Sequence, residues 1–64
     1  MYKNLLAEMA RHNISRKQIA ELIGGSYNHV REKIKGKYEF EYGEAVKIQE
    51  TFFPDLDLKY LFDR

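Results

Sequence analysis

Apolar residues recur along much of this chain at the spacing of a buried helix face. The first stripe follows the pattern i, i+3, i+4, i+7 and consists of Tyr2, Leu5, Leu6 and Met9. It predicts a first helix over residues 2–12. Asn13 follows, a residue type that tolerates the left-handed conformation found after a last helical turn.

A capping signal and a short apolar stripe predict a second helix over residues 16–23. Ser15 stands three residues before Gln18, the spacing at which the two side chains cap each other's backbone N–H groups. Gly24 can then end the helix with a positive φ. The apolar stripe of this helix consists of Ile19, Ala20 and Ile23.

A third helix is predicted over residues 27–35, between Ser26 as the N-cap and Gly36 as the stop. Its buried face has only two apolar anchors, Val30 and Ile34, which lie about one turn apart. The other side chains are polar or aromatic, so we expect most of this helix to face outward.

The segment YEFEY, residues 38–42, alternates large apolar with acidic residues as a strand does. It has no partner strand, so we expect an extended connector that places Tyr38 or Phe40 in the core.

Two further helices are predicted after this connector. One spans residues 43–53 and ends at Pro54, and Asp57 can cap a short last helix over residues 58–62. The fourth helix has the apolar stripe Ala45, Ile48 and Phe52, widened by Val46 and Phe53. The last helix offers Leu58, Leu61 and Phe62. The aromatic residues Phe52, Phe53, Tyr60 and Phe62 are expected in the core or on a dimer surface.

Length and composition restrict the chain to one domain, residues 1–64, because so short a chain buries only about 60% of its unfolded surface. It has no cysteine for a disulfide or a thiolate metal site. No segment approaches the roughly 20 apolar residues of a membrane span, and the amino terminus lacks the pattern of a secretion signal. We therefore expect a soluble, cytoplasmic protein.

The two halves of the chain differ in charge although the total is only +1. Residues 1–37 carry eight Lys/Arg and three Glu, a net +5, whereas residues 38–64 carry three Lys/Arg and seven Asp/Glu, a net −4. This asymmetry is typical of a polyanion-binding half joined to an acidic half. The acidic residues Glu39, Glu41 and Glu44 would repel phosphate, so we expect them to lie away from a bound polyanion.

The second and third helices are spaced as in a helix-turn-helix, with a glycine-containing turn between them. Ala20 supplies the small residue where the two helices cross. The segment ISRKQIAELIGGSYNHVREKIKGK resembles the phage repressor and Cro-like family, also called the XRE type. The segments MYKNLLAEMAR and EAVKIQETFFPDLDLKYLF are similar to the ends of short regulators of Gram-positive phages and prophages. The resemblance implies an all-α, lambda-repressor-like domain of five short helices.

Two positions depart from the family pattern. Gly25 replaces a packed apolar residue in the turn. Lys33 stands at the usual second anchor of the recognition helix, and Ile34 follows one residue later. The rotation of this helix about its axis is therefore left open by the sequence.

The resemblance implies a sequence-specific transcriptional regulator, a repressor or Cro-like protein, that binds double-stranded operator DNA as a homodimer in a bacterial host cell. Side-chain chemistry selects candidate base contacts on the recognition helix, namely Tyr27, Asn28, Arg31 and Glu32. Candidate phosphate contacts are Ser15, Arg16, Lys17, Ser26, His29, Lys35 and Lys37. Tyr27 can instead pack back on the second helix, and His29 can be a partly buried spacer.

Catalytic interpretations fail on the inventory of residues. His12 and His29 have no cysteine beside them, and no glycine-rich phosphate loop follows a strand, so no enzyme, cofactor, metal or small-molecule substrate is expected. Glu8 and His12 have the spacing of an i, i+4 surface pair. The alternative to DNA binding is an antirepressor-like module, a helix-turn-helix fold that binds a protein instead. The acidic half of the chain supports that alternative.

Overall fold

The computed structural model describes residues 1–64 and contains five helices and no strand. The helices are α1 (Lys3–His12), α2 (Arg16–Ile23), α3 (Tyr27–Lys35), α4 (Tyr42–Phe52) and α5 (Leu58–Leu61). The all-α prediction is confirmed. α2 and α3 have the predicted bounds, α1 and α5 differ from the predicted ranges by one residue at one end, and α4 differs by one residue at both ends. No helix combines the length and apolar character needed to cross a lipid bilayer.

The predicted caps explain why the helices begin and end where they do. The Ser15 hydroxyl accepts from the Gln18 backbone N–H at 3.1 Å, and the Gln18 side chain accepts from the Ser15 N–H at 2.8 Å. Asn13 has φ 57°, in the left-handed region, as predicted for the residue that closes α1. Asp57 caps α5 by accepting from the backbone N–H of Tyr60 at 3.1 Å. Each cap satisfies backbone groups that a helix end leaves without a partner.

One hydrophobic cluster holds the five helices together. α2 packs against α3 and α4, and α5 packs against α1 and α4. The fully or nearly fully buried members of the cluster are Tyr2, Leu5, Met9, Ile19, Ala20, Val30, Ile34, Ile48, Phe53 and Leu61. Most of the predicted core is confirmed, although Leu6, Ile23, Phe52 and Phe62 are only partly buried around it and Tyr60 is 39% exposed.

The connector between α3 and α4 contains no strand and begins with a turn and bends at residues 36–38, and Phe40, not Tyr38, packs on the core. The Phe40 ring lies edge-on to the rings of Tyr2 at 5.2 Å and Phe62 at 5.4 Å, whereas Tyr38 is 48% exposed. The Tyr2 hydroxyl accepts from the Phe40 backbone N–H at 3.2 Å. This contact fixes the connector across the carboxyl end of α3.

The predicted Glu8–His12 surface pair is wrong in one respect, because Glu8 is buried. It is only 5% exposed, and its Oε2 accepts from Arg11 Nη1 at 2.6 Å and from the Tyr60 hydroxyl at 2.8 Å. His12 Nε2 lies 3.6 Å from the other carboxylate oxygen. Glu8 is buried because Tyr60, which belongs to α5, covers the side of α1 on which it lies. The hydrogen bond that the Tyr60 hydroxyl donates to Glu8 is the main reason why the pKa of Tyr60 is raised.

Candidate nucleic-acid interface

α2 and α3 form a tight pair joined by the three residues Gly24–Ser26. Gly24 has φ 74°, and the N–H of Gly25 donates to the Ala20 carbonyl at 3.1 Å, which closes the last turn of α2. The Ser26 hydroxyl accepts from the His29 N–H at 3.1 Å and begins α3. Ala20 is buried at 6% exposure, as expected for the small residue at the crossing of two helices.

α3 packs on the core through Val30 and Ile34, which are 0% and 1% exposed. Successive side chains on an α-helix turn by about 100°, so Glu32 points directly away from the midpoint of this buried row. Within about 60° of that direction lie three neighbours. We call these four residues the outward face of α3: Asn28, His29, Glu32 and Lys35.

Arg31 and Lys33 occupy opposite flanks of α3, each about 100° from the outward direction. Arg31 is exposed, whereas Lys33 is partly buried. The flank that carries Arg31 also carries Tyr27, so the predicted base contacts divide between two surfaces. Asn28 and Glu32 belong to the outward face, and Arg31 and Tyr27 lie to one side of it.

Tyr27 turns towards α1 and α2 while remaining 51% exposed. Together with Ser15, Arg16 and Lys17 it lines a groove of about 320 Å³ whose floor is apolar. The α1 and connecting residues of this groove are Leu6, Met9, Ala10 and Ile14. One predicted base contact and three predicted phosphate contacts therefore share a single surface beside the amino end of α2.

The amino end of α2 offers hydrogen-bond donors to this groove. The first backbone N–H groups of a helix have no acceptor within the helix and carry partial positive charge. The Nε of Arg16 is buried without an acceptor, which is uncommon for a buried donor. Donors, helix dipole and two cationic side chains therefore converge here, and an anion is their natural complement.

The predicted phosphate contacts at the carboxyl end of α3 are in different states. Lys35 is exposed and has no ion-pair partner, whereas Lys37 Nζ bonds to Glu32 Oε2 at 3.2 Å. The hydrogen bond and the charge of Glu32 raise the pKa of Lys37. Sequence reasoning assigned Glu32 and Lys37 to separate roles and missed this pair. Gly36, which has a left-handed backbone, reverses the chain between them. This glycine was the feature of the sequence that could have indicated the pair.

The acidic residues that are expected to lie away from a bound polyanion border the flank of α3 that carries Lys33. Glu44 Oε1 lies 2.6 Å from Lys33 Nζ, and Glu39 and Glu41 line a depression of about 320 Å³ together with His29 and Lys33. The connector from Gly36 to Glu41 is only six residues long. Both of its carboxylates lie close to the helix that it follows.

Four of the cations predicted to contact DNA have no ion-pair partner. Lys33 and Lys37 are neutralised by Glu44 and Glu32. The unpaired cations are Arg16, Lys17, Arg31 and Lys35. They lie at the amino end of α2 and on α3, so free positive charge follows the α2–α3 pair, whereas the α4 flank of α3 is acidic.

Comparison of this chain with protein-family models, with curated proteins and with solved structures found no match. The resemblance to the repressor family therefore stays a prediction. Packing and charge alone identify the candidate interface.

Proposed function

We propose that this protein is a sequence-specific DNA-binding transcriptional regulator, and that α2, its turn and α3 are the helix-turn-helix of a lambda-repressor-like domain. The observation that carries the proposal is the exposed polar surface of α3, which adjoins the unpaired cations at the amino end of α2. A helix with only two buried anchors leaves most of its other side chains free to enter a groove.

In the proposed complex, α3 lies in the major groove and the amino end of α2 binds a phosphate. Asn28 can form paired hydrogen bonds with adenine, and Glu32 can accept from the cytosine amino group. Arg31 can fork onto guanine from the flank of the helix. Arg16, Lys17 and Lys35 neutralise phosphates, and this fixes the position of the domain without reading sequence.

We infer a homodimer on DNA, because one recognition helix covers only about half a turn of the groove and two half-sites multiply affinity. Binding of this kind occludes a promoter and acts as repression. These statements extend the family resemblance to a phage or prophage regulator in the bacterial cytoplasm.

Duplex binding measured across salt tests the proposal and the stoichiometry together. The logarithm of affinity falls by about 0.9 per phosphate neutralised for each tenfold rise in salt. Three phosphate contacts per protomer predict a loss of roughly 40-fold between 50 and 200 mM salt for a monomer, and roughly 2,000-fold for a dimer. Selection from a random pool is expected to yield a palindrome preferred by at least about 100-fold.

A second candidate function is a protein-binding, antirepressor-like module. The ion pairs of Lys33 and Lys37, and the acidic residues beside α3, lower the positive potential of the surface and favour this alternative. Duplex affinity that hardly changes with salt, with no sequence enriched from the pool, would refute DNA binding and leave the protein-binding candidate.

A further inference from the structure

The tie between α3 and α4 is a partly buried ion pair. Lys33 Nζ lies 2.6 Å from Glu44 Oε1, and the two side chains are 18% and 22% exposed. The same carboxylate oxygen accepts from the Glu41 backbone N–H at 3.0 Å and completes the capping box of α4. Lys33 also lies over the Phe40 ring, 5.7 Å from its centroid. The ammonium thus has a carboxylate, a helix end and an aromatic face as neighbours.

The surroundings of Glu44 favour its charged form, which strengthens its ion pair with Lys33. Burial alone would raise the pKa of Glu44, but the hydrogen bond from Lys33, the Glu41 N–H and the Lys33 charge together lower it. The opposite flank of α3 has no such tie, because Arg31 has no ion-pair partner. α3 is therefore anchored by charge on one side only.

This anchor lies directly beside the buried row of α3. The buried row is Val30 and Ile34, and Lys33 lies beside it, towards α4. If Lys33 were instead apolar and buried with Val30, the midpoint of the row would move by about 50° around the helix axis. Asn28 and Lys35 would then point outward, Glu32 would move to one side, and Arg31 would approach the outward direction.

We propose that Lys33 is a positioning residue that, through Glu44, holds α3 in the rotation that presents Glu32 outward and keeps Arg31 on the flank. This inference rests on the proposed function, since it assigns to the ion pair the choice of side chains that face the bases. In this role Lys33 itself contacts no phosphate, although it is a lysine on the recognition helix.

The test compares Lys33→Met with Lys35→Met, a matched lysine on the same helix that is exposed and unpaired. Lys35→Met is expected to lower the salt slope by about 1 per protomer and to weaken all duplexes alike. Lys33→Met is expected to leave the slope unchanged and to alter base preference by about tenfold or more at one position of each selected half-site. Glu44→Gln, which keeps the side-chain shape, is expected to produce the same change in preference.

A DNA-free measurement separates this inference from the proposed function. Denaturation of the single variants and of the double variant Lys33→Met, Glu44→Gln is expected to show coupling of at least about threefold in the unfolding equilibrium constant. Coupling below that value overturns the positioning role even where the wild type binds DNA. A lower salt slope for Lys33→Met overturns it as well, because Lys33 would then bind phosphate. A wild type that binds no duplex while the coupling is present overturns the proposed function and the reading role, but not the ion pair.

Discussion

Gly24 and Gly36 end consecutive helices in the same backbone region, yet alanine at the two sites is expected to have different effects. Their φ angles are 74° and 96°. The left-handed conformation costs an L-residue about 1–2 kcal/mol, and the loss of unfolded-chain freedom offsets about 0.4–1 kcal/mol of this. A Cβ on Gly24 meets no atom within 4 Å, so Gly24→Ala is expected to cost about 0–1.5 kcal/mol.

At Gly36 the added Cβ would lie 2.6 Å from the backbone nitrogen of Met1 and 3.3 Å from its Cα. Met1 cannot move freely, because the next residue, Tyr2, donates its N–H to the Ile34 carbonyl at 3.0 Å and is 3% exposed. Forcing extra volume into packed structure typically costs about 1–3 kcal/mol. Gly36→Ala is therefore expected to be less stable than Gly24→Ala by about that amount.

Urea denaturation followed by far-ultraviolet circular dichroism measures this difference directly. A chain of 64 residues has an unfolding free energy of roughly 3–10 kcal/mol, so a difference of this size is a large part of the total. The thermal midpoints are expected to differ by about 4–8 °C for each kcal/mol. Equal losses for the two variants, or a greater loss for Gly24→Ala, would contradict the clash of the new Cβ with Met1, because backbone strain alone would then account for both.

Three further predictions follow from the caps, the charges and the candidate contacts. Ser15→Ala removes the N-cap of α2 and is expected to lower the unfolding free energy by about 0.5–2 kcal/mol. A thermal unfolding midpoint equal to that of the wild type would contradict this. Arg31→Ala is expected to relax the sequence preference at one base position, at a cost of about 1–3 kcal/mol in binding. Lys17→Ala is expected to weaken binding to every duplex alike. If competition binding shows a uniform loss for Arg31→Ala, Arg31 is a phosphate contact. Folding lowers the pKa of Glu44 from its ordinary value of 4.5. The ion pair of Glu44 therefore stabilises the protein fully above pH 4.5, and this stabilisation is lost as the pH falls through the pKa of Glu44 in the folded protein. The stability difference between wild type and Glu44→Gln is therefore expected to shrink in acid titrations below about pH 4.5, and a constant difference would contradict this assignment.

Features encoded within one helical turn could be predicted from the sequence. The bounds of α2 and α3 follow from Ser15, Gly24, Ser26 and Gly36, because each cap acts on backbone groups two to four residues away. The exposure of the candidate contacts on α3 followed for a similar reason. Once Val30 and Ile34 are buried, helical geometry places the other side chains.

Contacts between distant elements could not be predicted in this way. Glu8 is buried because Tyr60, 52 residues later, covers it, and no local pattern indicates such a pairing. Phe53 rather than Phe52 is fully buried, because α4 ends at Phe52 and the backbone turns at Phe53, where φ is −136°. The Lys33–Glu44 pair joins two helices whose relative orientation depends on the whole core.

The rotation of α3 changes which candidate contacts are most direct. Side-chain chemistry placed Asn28, Arg31 and Glu32 alike among the candidate base contacts, but only Asn28 and Glu32 belong to the outward face. Arg31 lies on the same flank of α3 as Tyr27, which lines the groove beside the amino end of α2. The long side chain of Arg31 must therefore extend around the helix to reach a base edge. Glu32 bonds to Lys37 in the free protein and must leave or share that partner to accept from cytosine. If Glu32 leaves Lys37 to read a base, the Lys37 ammonium becomes free to bind a phosphate. One exchange of partners would then link a base contact to a phosphate contact at the carboxyl end of α3.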